Sequence, residues 1–471
     1  MSYNFKTDIV IGLEIHVELD TDTKLFCACK THAEEPNSAT CEICLGFPGS
    51  KPLLNKKAVD YATRLCLALG CKIAPELIFS RKSYFYPDMA KNYQITQYEL
   101  PLGEKGSLEL SDGELIGITR VHMEEDPAAL IHPNGMANST FVLVDYNRSG
   151  RPLCEVVTEP DMTSPEQARD FMKQLINVLR YLKIFDINNC IIKADANISI
   201  KESGYTKVEV KNITGFKEIE RALHYEITRQ KQVVVVGEEI FQETRAWDAE
   251  SGITRSMRKK ETAEDYGYIL DPDIVVTDIT DDYISKIKAS LPELPVERAR
   301  RYVTEYKISP EDAKVLTLDY DLAEFFNTVA KKVDPVITAR WVRRELARVL
   351  NYNKIEFNES KITSEEFSNI LELLILKKIT DNIAKRLLEK LVVEQFNVID
   401  YVKKEGLEAV NDTGEIEAIA KKAMSENPKA VEEYKSGKEQ ALNFLVGQVM
   451  RQSKGKASPN DAKEILKKII G

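Results

Sequence analysis

The sequence lacks any apolar run close to the about 20 residues that a bilayer-crossing helix needs, although 43% of its 471 residues are hydrophobic. Residues 1–6 also lack the apolar stretch that is typical of a signal peptide. We therefore expect a cytoplasmic protein with no membrane partner. A G-x-x-x-x-G-K-[ST] loop is missing as well, which excludes the P-loop class of nucleotide-binding proteins.

An excess of positive charge is also missing, because 65 Lys and Arg residues face 75 Asp and Glu residues and give a net charge of −10. This balance disfavours a chain that is coated by nucleic acid along its whole length. Short basic segments can still contact phosphates or form a solvated surface, since salt screens surface charges beyond about 10 Å. Two such segments are Arg451, Lys454, Lys456, Lys463, Lys467 and Lys468 (with Asp461 and Glu464, net +4), and Arg340, Arg343, Arg344 and Arg348 (with Glu345, net +3).

The chain changes character near Pro292. Before it, short runs rich in Val and Ile alternate with turns; after it, segments such as 339–350 and 367–378 show the 3.6-residue periodicity of helices. Two prolines make residues 291–295 a linker, and the polar stretch 351–360 predicts a second break. The predicted domains are residues 1–291, 292–355 and 356–471.

The first domain contains both strands and helices. Apolar side chains occupy every second position of residues 9–19 and 192–200, and polar ones occupy most of the positions between them, which predicts strands with one packed face. Helices are predicted over 163–183 and 216–232, and a hairpin over 242–258 with its turn at 249–252. The fold class is therefore α+β, with a largely antiparallel sheet followed by an all-α region.

Polar side chains on these strands predict a metal site. For the first strand, a polar face that is simply exposed to solvent explains the same residues equally well. Asp and Asn are disfavoured inside strands, yet Asp195 and Asn197 lie there. Four segments offer acidic groups or histidine: Glu14 and His16, Glu124 and Glu125, Asp195, and Glu209. Carboxylates that converge need cations, and oxygen ligands with one imidazole suit Mg²⁺ or Mn²⁺. The residues alone thus predict a divalent metal and a nucleotide on a β-sheet.

Four of the eight cysteines form two close pairs, C-x-C and C-x-x-C. Cys27, Cys29, Cys41 and Cys44 predict a closed tetrahedral Zn²⁺ site with a structural role, held on the loop 27–44. The other four, Cys66, Cys71, Cys154 and Cys190, have apolar neighbours and are predicted to lie in the core.

Twelve short blocks in order along the first domain carry a family resemblance. They are 12–19 (GLEIHVEL), 35–37 (EPN), 44–49 (CLGFPG), 82–88 (KSYFYPD), 94–97 (QITQ), 122–126 (HMEED), 145–150 (DYNRSG), 155–161 (EVVTEPD), 195–197 (DAN), 209–212 (EVKN), 243–245 (ETR) and 255–261 (RSMRKKE). The chain resembles the B subunits of tRNA-dependent aspartyl/glutamyl amidotransferases, the GatB/GatE family.

The resemblance implies a catalytic domain of the glutamine-synthetase and guanidino-kinase type, a helical domain and a helical tail that contacts tRNA. It implies that ATP phosphorylates the side-chain carboxylate of Asp-tRNA(Asn) or Glu-tRNA(Gln), and that ammonia then displaces the phosphate. It implies a heterotrimer in which two partner chains join this one, namely a glutaminase (amidase) and a small third subunit. The sequence itself shows no Ser-rich amidase signature.

The resemblance also implies which residues serve the reaction. The implied catalytic face comprises Glu14, His16, Glu124, Glu125, Asp195 and Glu209, of which Glu14, His16, Glu125, Asp195 and Glu209 hold Mg²⁺ or Mn²⁺. The implied ATP-binding residues are Lys82, Tyr84, Asn197 and Asn212. The chain departs from the family pattern at Lys193 and Ala194, where many members have Arg and Cys, and at residues 266–273. These departures concern the acceptor pocket.

Two other functions are compatible with parts of the sequence. A free-standing ligase could amidate a small carboxylic acid, but it would leave the basic C-terminal segments without a role. A non-catalytic, zinc-containing RNA-binding protein would leave the acidic residues on the surface. The two alternatives differ from the first hypothesis in whether amidation occurs and in whether it requires tRNA.

Overall fold

In this computed structural model, the described residues are 7–133, 135, 139–259, 266–409, 413–453 and 455–470. Two compact units divide the chain, Met1–Leu294 and Pro295–Gly471, and their boundary lies within the predicted linker 291–295. Within these described ranges, no helix combines the length and the apolar character that crossing a bilayer requires. The large sheet of the first unit and the helices of the second confirm the predicted combination of an α+β domain with a C-terminal helical region.

The first unit contains strands and four α-helices among its described residues. The strands are β1 (Ile9–Glu18), β2 (Lys72–Ile73), β3 (Glu76–Leu77), β4 (Ser80–Ser83), β5 (Tyr93–Thr96), β6 (Gly103–Glu109), β7 (Leu115–Glu125), β8 (Ala129–Ile131), β9 (Leu143–Asp145), β10 (Pro152–Thr158), β11 (Ile192–Ile200), β12 (Val208–Thr214), β13 (Glu243–Asp248), β14 (Ile253–Lys259), β15 (Tyr268–Leu270) and β16 (Thr277–Asp278). The helices are α1 (Lys56–Ala68), α2 (Pro165–Tyr181), α3 (Phe216–Val235) and α4 (Asp281–Ala289).

The main sheet has the strand order β14-β13-β12-β11-β1-β10-β7-β6-β2 in the described part of the unit. Its neighbouring strands are antiparallel except for β12 and β13, which are parallel. This agrees with the prediction of a largely antiparallel sheet. A smaller sheet, β15-β4-β5, approaches β7 through β5. The cavity described below lies between this small sheet and the main sheet.

Side-chain alternation decides which face of the main sheet forms the core. Along β1, Ile11, Leu13, Ile15 and Val17 are buried in one hydrophobic cluster with residues of α1, α2 and α3. Those three helices pack against the sheet, so the intervening polar residues of β1 point to the opposite face. The sequence predicted this strand, β11 and the β13–β14 hairpin, and all three are confirmed.

The second unit is helical over its described residues. Its helices are α5 (Pro295–Tyr306), α6 (Pro310–Thr317), α7 (Tyr320–Ala330), α8 (Pro335–Trp341), α9 (Ala347–Asn353), α10 (Ser364–Ile375), α11 (Asp381–Val393), α12 (Val398–Lys404), α13 (Thr413–Glu426), α14 (Pro428–Lys435), α15 (Glu439–Gln452) and α16 (Pro459–Ile470). A π-helical stretch, Val342–Leu346, joins α8 to α9.

The cores of the second unit do not follow the break that the sequence predicted at 355/356. One hydrophobic cluster runs from Tyr302 to Val402, and a second one runs from Ile416 to Ile470. Ile355 and Phe357, which lie inside the polar stretch, pack against the first cluster. The change of core therefore falls between residues 402 and 416.

The predicted basic segments have different surroundings. Arg343 and Arg348 are paired with carboxylates, Arg343 with Asp312 at 2.6 Å and Arg348 with Glu389 at 2.9 Å. On α16, the basic residues Lys463, Lys467 and Lys468 are exposed, as is Arg451 at the end of α15. Lys454 lies outside the described residues, as do Lys260 and Glu261 of the last sequence block.

Candidate functional site

A cavity of about 250 Å³ opens on the polar face of the main sheet, beside β4 and β5. Its wall is dense in ionisable groups of both signs. The acidic ones are Glu14, Glu124, Asp126, Glu155 and Asp195, the basic ones are His16, Lys82, Arg148, Lys193 and Lys211, and Tyr84, Gln94 and Asn212 also line it.

Strand register brings three of the central side chains into one row. His16 on β1 pairs with Glu155 on β10, and Glu155 pairs with His122 on β7. Directly opposite residues of antiparallel neighbours share a face of the sheet, so the three side chains stand side by side. Glu14 and Glu124 lie two residues away on their own strands and therefore point to the same face.

Short distances join this row to the neighbouring carboxylates. His16 Nε2 lies 3.3 Å from Glu155 Oε2, 3.4 Å from Glu124 Oε1 and 4.0 Å from Glu14 Oε1. His122 Nε2 lies 3.4 Å from Glu155 Oε2 and 3.8 Å from Glu124 Oε2, while its buried Nδ1 has no hydrogen-bond partner among the described residues. The row thus alternates imidazoles with carboxylates.

The row is able to hold divalent ions. Ligand atoms of Glu14, His16 and Glu155 lie within 4.8 Å of one another, and so do those of His122, Glu124 and Glu155. Carboxylate oxygens with imidazole nitrogens suit Mn²⁺, and an oxygen-rich set that is completed by substrate phosphates suits Mg²⁺. Glu155 belongs to both groups, which we call the two donor groups.

Burial and the carboxylates together shift the ionisation of the row. Burial opposes the charge of His16, but its hydrogen bond with Glu155 and the charges of Glu124, Glu155 and Glu14 prevail and raise its pKa to about 10. Burial also opposes the charge of His122, and Glu155 and Glu124 raise its pKa to about 9. Burial raises the pKa of Glu14, and the charge of Glu155 adds to this effect.

These pKa values predict how stability changes with pH in protein treated with a chelator of divalent ions. The pKa of His16 and that of His122 lie above their ordinary value of 6.5, so the folded protein binds the protons more tightly than the unfolded chain. Their contribution to stability is full below pH 6.5 and is lost as pH rises through about 9 to 10. Denaturant titrations should show the free energy of unfolding falling over this window.

The control for the pH series is the double variant His16→Asn, His122→Asn. Its free energy of unfolding should vary less with pH between 6.5 and 10, because the two shifted groups are gone. A wild-type profile that is flat over this window, or rises in it, contradicts the predicted ionisation of the row.

Asp195 of β11 lines the cavity at a point where the pairing of β11 with β12 shifts its register. The β11–β12 pairing shifts between Ala194 and Ala196, which places Asp195 against Lys211 and Asn212 of β12. Lys211 Nζ lies 2.6 Å from Asp195 Oδ2 and 3.6 Å from Glu209 Oε1. Burial opposes the charge of Lys211, but Asp195 and Glu209 raise its pKa. Lys211 is thus a permanent cation at this end of the cavity.

Two residues predicted for the site lie beside the cavity and do not line it in the described structure. Glu209 accepts a hydrogen bond from Thr244 Oγ1 at 2.9 Å, and its Oε1 lies 3.6 Å from Nζ of Lys211, which lines the cavity. Asn197 is half-buried on β11, and its buried Oδ1 has no partner among the described residues. Neither side chain belongs to the two donor groups.

Glu125 does not join the hollow that the sequence predicted for it. Alternation along β7 puts Glu124 on the face of His122 and Glu125 on the other side. There the Glu125 carboxylate pairs with Lys91 and accepts a hydrogen bond from the Ile95 N–H at 2.9 Å. Because both partners of this ion pair are buried, Glu125 stabilises the junction between β7 and β5.

Sequence reasoning missed Glu155, the residue that the two donor groups share. Glu155 stands alone as a charge in the run of β10, with Cys154 and Val156 buried on either side. A single carboxylate inside an apolar strand is the signal that would have found it, because such a charge needs a partner. The two imidazoles provide one and hold the pKa of Glu155 well below its usual range, against the effect of burial.

Three basic side chains of the cavity, Lys82, Arg148 and Lys193, form what we call the basic wall. Arg148 donates to the carbonyl of Pro127 at 2.9 Å and lies 3.5 Å from Asp126, whose pKa burial raises to about 6. Lys82 Nζ lies 4.6 Å from the centre of the Tyr266 ring. Lys193 stands next to His16 in the β1–β11 pairing, and together the three cations can bind an anion beside the carboxylates.

The four cysteines of the loop 27–44 come together outside the cavity. Their sulfur atoms all lie within 4.8 Å of one another. The sulfurs of Cys41 and Cys44 are 3.9 Å apart, and a tetrahedral ion with Zn–S bonds of about 2.3 Å places its sulfurs roughly 3.8 Å apart. Contacts with the Cys27 thiol, the Cys41 N–H and Lys24 lower the pKa of Cys44 to about 5, although burial opposes this. The cluster fits Zn²⁺.

Comparisons with known proteins cover both units of the chain. A family described as the GatB/GatE catalytic domain matches residues 9–285, and one described as the GatB domain matches residues 324–470. A protein of Carboxydothermus hydrogenoformans, named as the B subunit of an aspartyl/glutamyl-tRNA(Asn/Gln) amidotransferase, is 45% identical over 98% of both chains. A protein of Thermotoga maritima with the same name is 43% identical over 98% of both chains.

Proposed function

From the premise that this chain belongs to the GatB/GatE family, we propose that it is the amidating subunit for Asp-tRNA(Asn), Glu-tRNA(Gln) or both. The side-chain carboxylate of the misacylated aminoacyl group is phosphorylated by ATP, and ammonia then displaces phosphate to give the amide. A carboxylate is a poor electrophile that merely pairs with an amine, whereas an acyl phosphate has a good leaving group.

The cavity with its two donor groups carries this proposal. The residues that would hold the ions are Glu14, His16, His122, Glu124 and Glu155. Bound there, Mg²⁺ or Mn²⁺ would neutralise the negative charge of the transferring phosphoryl group. Asp195 stands at the edge of the same cavity, already paired with Lys211.

The basic wall gives the chain's own contribution to substrate binding. Lys82, Arg148 and Lys193 line the same cavity as the carboxylates, so they attract the phosphates of ATP and the carboxylate to be activated. Burial and the neighbouring carboxylates raise the pKa of Tyr84, so its hydroxyl keeps its proton and acts as a hydrogen-bond donor. Asn212 lines the cavity beside Asp195 and contributes an amide.

The remaining parts of the proposal concern fold type, zinc, partners and location. We assign the catalytic unit to the glutamine-synthetase and guanidino-kinase type, and Zn²⁺ at the four cysteines to a structural role. A partner glutaminase supplies ammonia, a small third subunit completes the heterotrimer, and the complex works in the cytoplasm. The exposed lysines of α16 support a contact of the tail with tRNA phosphates.

An assay of the reconstituted complex tests this function. The chain, together with its glutaminase and its small partner chain, is incubated with ATP, glutamine and each misacylated tRNA in turn. We expect amide formation and ADP release only when both ATP and a misacylated tRNA are present. Uncharged tRNA and a free aspartate or glutamate substrate serve as controls. Amidation of the free amino acid without tRNA would support a free-standing ligase, and absence of ATP turnover would support a non-catalytic RNA-binding protein.

A further inference from the structure

We propose that the ammonium of Lys24 is the counter-charge that the four cysteines need to hold Zn²⁺, and that it links metal occupancy there to the position of Arg148 in the cavity wall. The inference rests on the zinc site of the proposed function and goes beyond it. It assigns Lys24 as a positioning residue, since it reaches the cavity only through its neighbours.

The surroundings of Lys24 are unusual for a lysine. Its side chain is completely buried, whereas lysines nearly always keep the ammonium in water. Its Nζ donates to the carbonyl of Ala39 at 2.8 Å and to the carbonyl of Tyr146 at 3.2 Å, and it lies 3.6 Å from Cys44 Sγ. No carboxylate of the described residues lies within ion-pair distance of it. A buried ammonium is costly without a negative partner, so the sulfur has to provide one.

Charge balance explains why the cluster and the lysine need each other. Zn²⁺ is bound by thiolates, and its two positive charges leave two of the four thiolate charges unbalanced. Lys24 offsets one of them at the sulfur of Cys44. With a neutral residue in place of Lys24, both excess negative charges of the partly buried cluster would be unbalanced. The cluster would then bind Zn²⁺ less tightly.

The contacts of Lys24 extend to a segment that carries a cavity residue. Lys24 holds the loop 27–44 through Ala39 and the segment 144–149 through Tyr146. Further hydrogen bonds fasten the same two segments: Asn37 N–H to Asp145 Oδ1 (2.9 Å), Tyr146 N–H to Asn37 Oδ1 (2.7 Å), Ala39 N–H to Asn147 Oδ1 (2.8 Å), Asn147 Nδ2 to the Glu35 carbonyl (2.7 Å) and Ser149 Oγ to the Cys44 carbonyl (3.2 Å).

Arg148 lies inside this fastened segment. Its side chain lines the cavity and donates to the carbonyls of Pro127 and Ala128, at 2.9 and 2.5 Å. If the cysteine loop loosens, the segment 144–149 loses its support and Arg148 loses its fixed position. Occupancy of the cluster therefore affects the anion-binding wall, although the cysteines themselves do not line the cavity.

The first test compares Lys24→Met with Lys57→Met in the full chain. Lys57 lies in the first turn of α1, its side chain is about half exposed, and it pairs with Asp22 at the surface. Zinc affinity is measured by competition with a chromophoric chelator. We expect Lys24→Met to weaken zinc binding by about 10–100-fold, as loss of an outer partner of a metal ligand does, and Lys57→Met to leave it unchanged. Equal affinity in the two variants would overturn the proposal.

A second measurement on wild-type protein decides the matter even if Lys24→Met does not fold. Hydrogen exchange is followed at the amides of Asn37, Ala39 and Tyr146, before and after a chelator removes zinc. We expect faster exchange at these three amides and unchanged exchange at amides of β1. Unchanged protection of all three would overturn the link to Arg148.

Neither zinc affinity nor hydrogen exchange depends on amidation. The role of Lys24 and the proposed function can therefore be refuted independently of each other. Wild-type protein that holds no zinc would overturn the role of Lys24 and leave tRNA-dependent amidation to its own assay. Protein that holds zinc and shows the expected exchange, but forms no amide, would overturn the proposed function alone.

Discussion

Replacing Glu155 by Gln is expected to lower tRNA-dependent amidation by on the order of 10³-fold while the chain stays folded. The carboxylate of Glu155 belongs to both donor groups and pairs with both imidazoles of the row. Gln keeps the shape and removes the charge. A loss of about 4 kcal/mol of transition-state stabilisation corresponds to this factor, which is the scale of removing one electrostatic contact at a phosphoryl-transfer or acyl-transfer site.

The matched control for this variant is Glu159→Gln. Glu159 follows the same strand, is exposed, and accepts a hydrogen bond from Thr119 Oγ1 at 2.8 Å. It should keep wild-type kcat and wild-type binding of Mn²⁺, measured by titration calorimetry, whereas Glu155→Gln should lose most of both. Wild-type amidation by Glu155→Gln would remove the row from the reaction. Circular dichroism of both variants checks folding.

The second large effect is expected from Cys44→Ala, which should release zinc and lower the free energy of unfolding by about 3–5 kcal/mol. This is the range found when one partner of a buried charge pair is removed, and here Lys24 would be left buried without its sulfur partner. Metal analysis of the purified protein and urea titration measure the two results.

Cys190→Ala is the matched control, because Cys190 is also buried but lies outside the cysteine cluster. It should keep one zinc per chain and lose less stability, since only the packing of a small side chain changes. Retention of zinc by Cys44→Ala at the level of the control would contradict a four-cysteine site.

Alternation along single strands accounts for what the sequence could predict of the site. A period of two placed Glu14 and His16 on the polar face of β1, and both line the cavity with Asp195 of β11. The same period forbids Glu124 and Glu125 from sharing a face, so the prediction of both in one hollow ignored a rule that the sequence already contained. Glu125 proved to pair with Lys91 instead.

The order of the strands in the sheet was not accessible from the sequence. β10 lies between β1 and β7, which are far apart in the chain, and this order puts Glu155 between His16 and His122. Long-range pairing depends on the whole sheet and leaves no local mark on any of the three segments. In the helical unit, the polar composition of residues 351–360 also hid two core contacts, those of Ile355 and Phe357.

The sharing of Glu155 by the two donor groups has a thermodynamic consequence. An ion or proton taken up by one group changes the charge that the other group presents, so the two cannot saturate as independent sites. Binding isotherms for Mn²⁺ should then need two unequal constants with a coupling free energy between them. A single substitution at Glu155 would therefore change ion binding in both groups at once.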